Sequence, residues 1–403
     1  MRRRSLLAAP AIALLARSAT AAEPEVAIVG AGIAGLAAAR TLMAANRPCL
    51  VLEVRQRIGG RTFTDTGLGF PFDHGAAGIE GELARELGAK TAPAVGTASI
   101  YVHGKALTEA EYAQFAKASA ADAKMIDKVA KELPGVDPRQ VINATSPLER
   151  LALAERLRRT PFAPEPSAVE GVGTLVARFG AKVPVKLGVK VIRFDSTGPT
   201  VQVVSAAGEW GVKAVIVTVP VGVLAAGELS FAPPLKADRK AAIAALSSGS
   251  YDKVAIAFTR KVLDVPADTR LIGLTRAETV VDLLLRPQGK EAAIMLCEGE
   301  EARQLEAAGP SAAGATALSA VAEIFGKEVR TAFAGSQSTR WTQDPFSRGA
   351  WSVGPDKQRA VLAAPHDERI FFAGEATDSG RLDGAYVSGV RAAKEALALL
   401  GRR

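Results

Sequence analysis

Apolar residues along the chain fall into short runs typical of buried strands and longer alanine- and leucine-rich stretches typical of helices. The run Glu25–Val29 is rich in β-branched residues and predicts a strand, and Leu36–Met43 has the composition of a strong helix. A second apolar run, Cys49–Leu52, predicts the next strand. Strand, helix and strand at this spacing predict an α/β fold built on a parallel sheet.

Similar patterns continue through the rest of the chain, which has no internal repeats or low-complexity tracts. With 403 residues, the chain is long enough for about two domains. A helix is predicted to begin at Gly171–Arg178, another covers Lys236–Leu246, and an alternating strand covers Ser250–Phe258. Further strands are predicted at Val183–Val191, Val201–Ser205 and Ala214–Val219, and further helices at 107–160 and 307–322.

Three glycines separate the first strand from the first helix. Gly30 permits a tight turn, Gly32 lets the backbone approach a diphosphate, and Gly35 lets the helix pack closely on the strand. The diphosphate would lie at the helix N-terminus, beside Ile33 and Ala34, where free N–H groups and the helix dipole favour negative charge. This arrangement predicts a dinucleotide-binding turn.

Glu53 ends the second strand, 23 residues after Gly30. An acidic residue at about this distance binds the ribose hydroxyls of a dinucleotide, and it favours an adenosine ribose without a 2′-phosphate. The structural alternative is a solvated carboxylate at the end of a strand. Together with the glycine turn, Glu53 predicts a Rossmann domain.

The segment at 53–62 reads EVRQRIGGRT. It resembles the extended signature of the glutathione-reductase-like flavoproteins and, among them, of the flavin-containing amine oxidase family. The resemblance implies FAD rather than NAD. Gly59 and Gly60 would form a flexible turn beside the diphosphate, and Arg55 and Arg61 would supply charge to it or hold the loop.

The resemblance covers most of the chain and implies further cofactor contacts. Segments at 72–76, 215–224, 341–352, 371–377 and 384–393 are similar to family motifs. It implies that Gly75 and Ala76 pass the flavin ring, Val191 contacts adenine, Gly374 and Glu375 bind the ribityl–diphosphate region, and Gly384 and Ala385 begin a helix that faces flavin N1 and O2.

The resemblance implies three catalytic residues. Lys253 matches a lysine that approaches flavin N5 through a water, and Trp351 matches the first of two residues that often form an aromatic cage around the amine. Arg381 occupies the second cage position. There a guanidinium would repel an ammonium group or bind a substrate carboxylate, or else it turns outward and pairs with Asp378 or Asp383.

Two positions depart from the family pattern. Ala350 stands where some members attach FAD through a cysteine, so we expect noncovalent FAD. Gly78 stands where the family often has tryptophan, which changes the local shape of the pocket.

The motifs divide the chain into two expected domains. A glutathione-reductase-like Rossmann FAD domain is expected to be discontinuous, from residues 23–90, 168–225 and 340–403. A second, α+β substrate domain is expected from 91–167 and 226–339.

The implied reaction is oxidation of a C–N bond, in which a neutral amine passes a hydride to flavin N5 and water hydrolyses the resulting imine. Two alternatives remain open: a flavin desaturase or dehydrogenase acting on C–C bonds, and a non-catalytic flavin-binding module. Lys253 and Trp351 argue against the first and Arg381 mildly favours it. The intact glycines, Glu53 and Glu375 argue against the second.

Residues 1–22 have the pattern of a targeting signal, with an arginine-rich start, an apolar stretch and the small residues at 19–21. Arg3-Arg4 followed by Ser-Leu-Leu resembles the twin-arginine (Tat) export signal, and an uncleaved anchor or an ordinary secretory signal are the alternatives. We expect the Tat machinery to export the folded protein to a bacterial periplasm. Oxygen or a periplasmic carrier would accept the electrons, and no stable membrane anchor is expected.

The composition is ordinary for a soluble globular protein, since 48% of the residues are hydrophobic and 23% are charged. The net charge is +8, but removing the four arginines of the targeting signal leaves 46 basic against 42 acidic residues, about +4. This excess is spread along the chain, so we expect no nucleic-acid binding. No metal site is expected from the isolated His74, His103 and His366, and a disulfide between Cys49 and Cys297 stays open.

Overall fold

The computed structural model describes residues 23–92, 98–102, 104–108, 110, 167–276 and 279–401. The targeting segment at 1–22, His103 and nearly all of the helical stretch expected at 107–160 lie outside the described residues. Two large sheets organise the described part of the chain, one parallel and one mixed.

A five-stranded parallel sheet forms the centre of the first half of the fold. Its strands are β1 (Val26–Val29), β2 (Cys49–Leu52), β9 (Val185–Lys186), β13 (Ala214–Val217) and β22 (Ile370–Phe372). Their order is β22-β13-β1-β2-β9. Strand β1 is apolar throughout because both of its faces are buried: Val26 and Ile28 pack toward helices, and Ala27 and Val29 pack toward a second sheet.

Helices cover one face of the parallel sheet and a four-stranded sheet covers the other. The helices α1 (Ile33–Ala44), α3 (Val172–Gly180) and α10 (Leu382–Leu400) share one apolar cluster with β1. The opposite face packs on β10 (Val191–Asp195), β11 (Val201–Ser205), β12 (Gly208–Val212) and β14 (Ser230–Ala232). This three-layer arrangement confirms the predicted Rossmann-type FAD-binding fold.

A seven-stranded mixed sheet forms the second half of the fold. Its strands are β6 (Ala98–Val102), β7 (Lys105–Ala106), β16 (Tyr251–Phe258), β17 (Thr269–Leu274), β18 (Val280–Leu285), β19 (Ala292–Glu298) and β20 (Phe333–Ser338). Their order is β20-β16-β19-β18-β17-β6-β7, and the one parallel pairing among them is between β6 and β17. Helices α6 (Gly299–Ala308) and α7 (Pro310–Phe325) cover one face of this sheet, so its other face is left for a site.

Shorter elements complete the described part of the fold. Three ribbons pair β3 (Thr64–Asp65) with β4 (Phe72–Asp73), β5 (Thr91–Ala92) with β8 (Ser167–Ala168), and β15 (Ser247–Gly249) with β21 (Trp351–Val353). The remaining helices are α2 (Gly81–Glu86), α4 (Val221–Ala225), α5 (Ala237–Ala245), α8 (Glu328–Thr331) and α9 (Asp356–Ala363), with 3₁₀ turns at Pro287–Gly289 and Glu375–Thr377.

Three expectations from the sequence need correction. The strand expected at Val183–Val191 is two strands, β9 and β10, because Gly188 breaks the run with a φ of +73°. The helix expected at 307–322 is part of two helices, α6 and α7, separated at Gly309 with a φ of +88°. Strand β14 lies beyond residue 225, where the substrate domain was expected to begin, yet it pairs with β10.

The two cysteines lie in different apolar clusters, Cys49 beside β1 and Cys297 in the core of the seven-stranded sheet. Both are free thiols, so they do not form a disulfide with each other. Burial raises the pKa of Cys49 to about 11, as suits an inert core thiol. Among the residues that the structure describes, none of the helices has the length and apolar character needed to cross a membrane.

Candidate active site

A cavity of about 660 Å³ lies between the carboxyl ends of the parallel strands and the open face of the seven-stranded sheet. In α/β folds, ligands bind at this edge of the sheet. All the site residues predicted from the sequence line this cavity except Gly35 and Gly384. On the substrate side, its apolar wall includes Leu284, Ile294 and Leu296.

The glycine turn has the geometry that the sequence predicts. Gly30 has a φ of +109°, and a Cβ at Gly35 would lie only 1.9 Å from the Gly30 carbonyl oxygen. At Gly32, by contrast, a Cβ would meet no atom closer than 4.0 Å, and this residue faces the cavity. Gly30 and Gly35 are therefore required by the local packing, whereas Gly32 leaves room for a ligand.

Glu53 fastens the end of β2 to this turn. Its Oε2 accepts the Ala31 N–H and its Oε1 accepts the Arg55 N–H, both at 2.8 Å, and the residue is 3% exposed. The carboxylate is therefore held in one orientation at the cavity wall. This excludes the solvated strand-end alternative and suits recognition of ribose hydroxyls.

Arg55 holds a loop rather than pointing freely into the cavity. Its guanidinium donates to Asp344 Oδ2 at 2.7 Å and to Ser347 Oγ at 2.9 Å. The contacts tie the segment after β2 to the segment that leads into β21. Of the two roles expected for this arginine, the structure favours holding the loop.

Arg61 and Glu375 form one ion pair within a larger network. Arg61 donates to Glu375 Oε1 at 3.1 Å and to the Ala350 carbonyl at 2.8 Å. Ser352 donates to Glu375 Oε2 through its N–H at 3.1 Å, and the buried Arg359 donates to Ser352 Oγ. Arg359 was not predicted from the sequence, because its burial depends on how α9 packs against this loop.

Lys253 lies on β16 and enters the cavity, as predicted. Its Nζ donates to the carbonyls of Asp73 at 2.9 Å and Gly75 at 2.6 Å, which occupies two of its three donors. Burial lowers the pKa of Lys253 to about 8, and the nearby Asp73 carboxylate opposes this shift. One donor therefore remains for a water or ligand in the cavity.

The loop at 73–75 is fixed from several sides. Trp341 Nε1 donates to the His74 carbonyl at 2.9 Å, between the two carbonyls that Lys253 binds. A Cβ at Gly75 would lie 1.6 Å from the Arg61 carbonyl oxygen, so only glycine fits there. Asp73 accepts the Val172 N–H at 2.9 Å at the start of α3. The backbone expected to pass the flavin ring is thus rigidly placed.

Trp351 has an aromatic neighbour that we did not predict. The Tyr251 ring lies 5.0 Å from the Trp351 ring, with 51° between their planes, and both residues line the cavity. Tyr251 is two residues before Lys253, so strand alternation places both on the same face of β16. The period of the strand was the signal that could have identified Tyr251.

Arg381 lies at the rim of the cavity rather than deep inside it. Its side chain is 47% exposed and approaches Asp383 at 3.5 Å and Glu80 at 3.8 Å. The sequence left open that Arg381 turns outward and pairs with Asp378 or Asp383. The structure shows the contact with Asp383 and adds Glu80 as a second acidic partner. The acidic neighbours compensate the guanidinium charge, which weakens the expected repulsion of a substrate ammonium group.

The last helix begins beside the cavity. Arg381 precedes α10, Ala385 lines the cavity, and a Cβ at Gly384 would lie 2.2 Å from Ser379 Oγ. Gly384 is therefore needed for packing of the preceding loop. Ser388 Oγ accepts the Gly374 N–H at 2.9 Å and ties the helix to the loop after β22.

The residues present fit FAD. Gly32 leaves space for a diphosphate next to the N–H groups of Ile33 and Ala34, and the Glu53 carboxylate lies at the end of the neighbouring strand. At the other end of the same cavity, the N-terminus of α10 offers the positive end of a helix dipole. Ala350 lines the cavity with a methyl group that cannot bond to flavin, so FAD is noncovalent.

Comparisons with known proteins show relatives along most of the chain. The chain is 28% identical to Polyamine oxidase 4 of Oryza sativa subsp. japonica, over 93% of this chain and 89% of that protein. It is 25% identical to Probable polyamine oxidase 4 of Arabidopsis thaliana, over 92% of this chain and 86% of that protein. A solved triple mutant of putrescine oxidase has a similar fold, with a TM-score of 0.71 and 20% identity over 93% of this chain and 99% of that chain.

The family model described as flavin containing amine oxidoreductase matches residues 33–163 and 140–397. The first match begins at Ile33, just after Gly30 and Gly32, and the matches include Lys253 and the C-terminal motifs that line the cavity. The chain therefore belongs to the flavin-containing amine oxidoreductases and is an FAD-dependent enzyme that oxidises amines.

Proposed function

We propose that the substrate is an aliphatic amine whose carbon chain carries more than one amino group. The observation that carries this proposal is the composition of the substrate side of the cavity. Its wall of Leu284, Ile294 and Leu296 suits a chain of methylene groups, and the carboxylates of Asp268 and Glu298 line the same cavity. The names of the two polyamine oxidase relatives support the same substrate class.

Each cavity residue has a separate part in the proposed reaction. Trp351 and Tyr251, whose rings contact each other, present one aromatic surface to the reacting amino group, which attracts a cationic group and orients a neutral one. The remaining donor of Lys253 positions a water near the reacting carbon. Bound FAD supplies the hydride acceptor, and hydrolysis of the resulting imine releases the aldehyde and the second product.

The proposed setting is the periplasm, after twin-arginine export of the folded enzyme. Arg3-Arg4 and the apolar stretch that follows support this route. The FAD site also supports it, since Gly32, Lys253 and Glu375 come from distant parts of the chain and meet only after folding. Oxygen or a periplasmic carrier would then accept the electrons.

An anaerobic reduction assay tests the substrate class. The purified enzyme is mixed with putrescine or with butylamine, which has the same carbon chain and one amino group, and loss of the oxidised-flavin absorbance is followed. We expect the diamine to reduce the flavin at least tenfold faster, about 1.4 kcal/mol in barrier. Equal rates would contradict the proposed substrate class, and no reduction by any amine in a wider panel would favour the C–C alternative.

A further inference from the structure

Behind Lys253, on the opposite face of β16, two acidic side chains are buried together. Asp252 is 1% exposed and Glu306, on α6, is 3% exposed; their carboxyl groups are close enough to interact, and Asp252 Oδ2 accepts no hydrogen bond from the described residues. If both buried carboxyl groups were ionised, they would repel each other strongly in a poorly polarisable interior. A hydrogen bond between them requires that one of them carry a proton.

The loop that carries Trp341 directs two successive backbone N–H groups at this pair. The N–H groups of Thr342 and Gln343 donate to Glu306 Oε1 and Oε2, both at 2.8 Å. Successive N–H groups of this kind stabilise a single negative charge. Since Glu306 accepts an N–H on each oxygen, it suits the carboxylate, and Asp252 suits the protonated partner.

The same pair of acids is linked directly to β16, the strand that carries Lys253. Thr339 Oγ1 donates to Asp252 Oδ1 at 2.6 Å and accepts the Lys253 N–H at 2.8 Å. On the far side, Trp341 binds the His74 carbonyl, in the loop whose neighbouring carbonyls bind Lys253 Nζ. The acidic pair therefore supports both parts of the structure that fix Lys253.

We propose that Asp252 and Glu306 share one proton and that the resulting carboxyl pair positions Trp341 and Lys253 beside the flavin. Both acids are positioning residues, because neither lines the cavity. The proposal depends on the enzyme's binding FAD and not on the class of amine that it oxidises, so failure of the diamine assay leaves it standing.

Other titratable and charged groups near the pair come from neighbouring elements. Cys297 of β19 is directly opposite Asp252, and burial keeps its pKa well above the usual range, so the thiol stays neutral. Glu301 and Arg303 lie on α6, and Arg340, on the loop, is exposed. Burial, then the side-chain interaction with Glu306, raises the pKa of Asp252 to about 8.

This shift has a defined effect on folding stability. The folded state binds a proton at Asp252 that the unfolded state releases near pH 3.8, so stability falls as pH rises from about 4 to about 8. One such group changes the folding equilibrium by up to tenfold per pH unit. We expect Asp252→Asn to remove this slope, because its amide can donate to Glu306 without titrating.

The experiment compares FAD-loaded wild type, Asp252→Asn, Glu306→Gln and Glu300→Gln. Glu300 is on α6 but is exposed, so its variant is the matched control. We expect an infrared band of a protonated carboxylic acid in wild type at pH 7 that disappears above pH 8, persists in Glu300→Gln and is missing in Asp252→Asn. Glu306→Gln should bind FAD at least tenfold more weakly, because its amide group must face a backbone N–H.

The shared proton would be refuted by a wild-type protein without the carboxylic-acid band, or by an Asp252→Asn protein that keeps both the band and the wild-type pH slope of unfolding. If Asp252→Asn does not fold, the pH titration of the band in wild type decides alone. A band that titrates near pH 8 supports the shared proton, and a band that is absent or unchanged up to pH 10 overturns it. Turnover by Glu306→Gln equal to that of Glu300→Gln would refute the positioning role.

Discussion

Lys253→Met removes the buried ammonium group while keeping a side chain of similar length. Lowering its pKa from 10.5 to about 8 means that holding the charge in this cavity costs the folded protein about 3 kcal/mol near pH 7. Against this, its two charge-assisted hydrogen bonds contribute about 1.5–3 kcal/mol each. Together the two hydrogen bonds contribute about 3–6 kcal/mol, which offsets the cost or exceeds it by up to about 3 kcal/mol. We therefore expect the variant to be at most moderately destabilised, to fold and to keep FAD.

The same substitution should slow catalysis. Methionine cannot donate the hydrogen bond that orients water near the reacting atoms, and we expect turnover or flavin reoxidation to slow at least tenfold, about 1.4 kcal/mol in barrier. Rapid mixing with substrate and then with oxygen measures the two half-reactions separately. Lys240→Met, on the exposed surface of α5, is the control and should behave as wild type. Two half-reactions at wild-type rates in Lys253→Met would refute the assigned role.

The pKa of Lys253 also predicts a pH effect that is separate from that of Asp252. The folded state loses the Lys253 proton near pH 8, whereas the unfolded state keeps it to about 10.5, so the folded state binds fewer protons between these values. Wild-type stability should therefore rise relative to Lys253→Met as pH increases from about 8 to about 10.5. Parallel curves for wild type and Lys253→Met, from thermal unfolding across this range, would contradict the lowered pKa.

Three further predictions concern the cofactor, export and substrate preference. Since Ala350 has no thiol, acid precipitation should release all the flavin, and colour retained in the pellet would argue for a covalent bond. Changing Arg3→Lys and Arg4→Lys together should trap FAD-loaded precursor in the cytoplasm, and normal periplasmic accumulation in cell fractions would instead indicate the general secretory route. Arg381→Tyr should raise kcat/KM for monoamines at least tenfold if the guanidinium acts at the cavity rim and lower it for carboxylate-bearing amines. An unchanged preference across a substrate panel would place Arg381 outside the site.

The glycine turn was predictable because its constraints are local. The positive φ of Gly30 and the close approach of Gly35 to the Gly30 carbonyl arise within six residues, so the spacing alone identifies them. Glu53 was predictable for a similar reason, since a short βαβ unit fixes its distance from the turn. Lys253 required the family resemblance, because a lysine at the head of a strand is usually solvated.

The missed residues depend on pairings between distant segments. Tyr251 meets Trp351, one hundred residues later in the chain, only because β15 pairs with β21 next to the start of β16. Glu306 is on a helix with an ordinary polar composition, and nothing in that helix predicts its burial against Asp252. Such contacts follow from tertiary packing, which a local pattern does not specify.

The packing of α10 on α1 also has a consequence for the order of events during synthesis. A Cβ at Gly389 would lie 2.1 Å from the Ala34 carbonyl oxygen, so the last described helix rests directly on the first turn of the first one. The ribosome makes residue 34 long before residue 389, so the glycine turn lacks this packing partner until α10 has been made. We therefore expect a nascent chain stalled before α10 to bind no flavin.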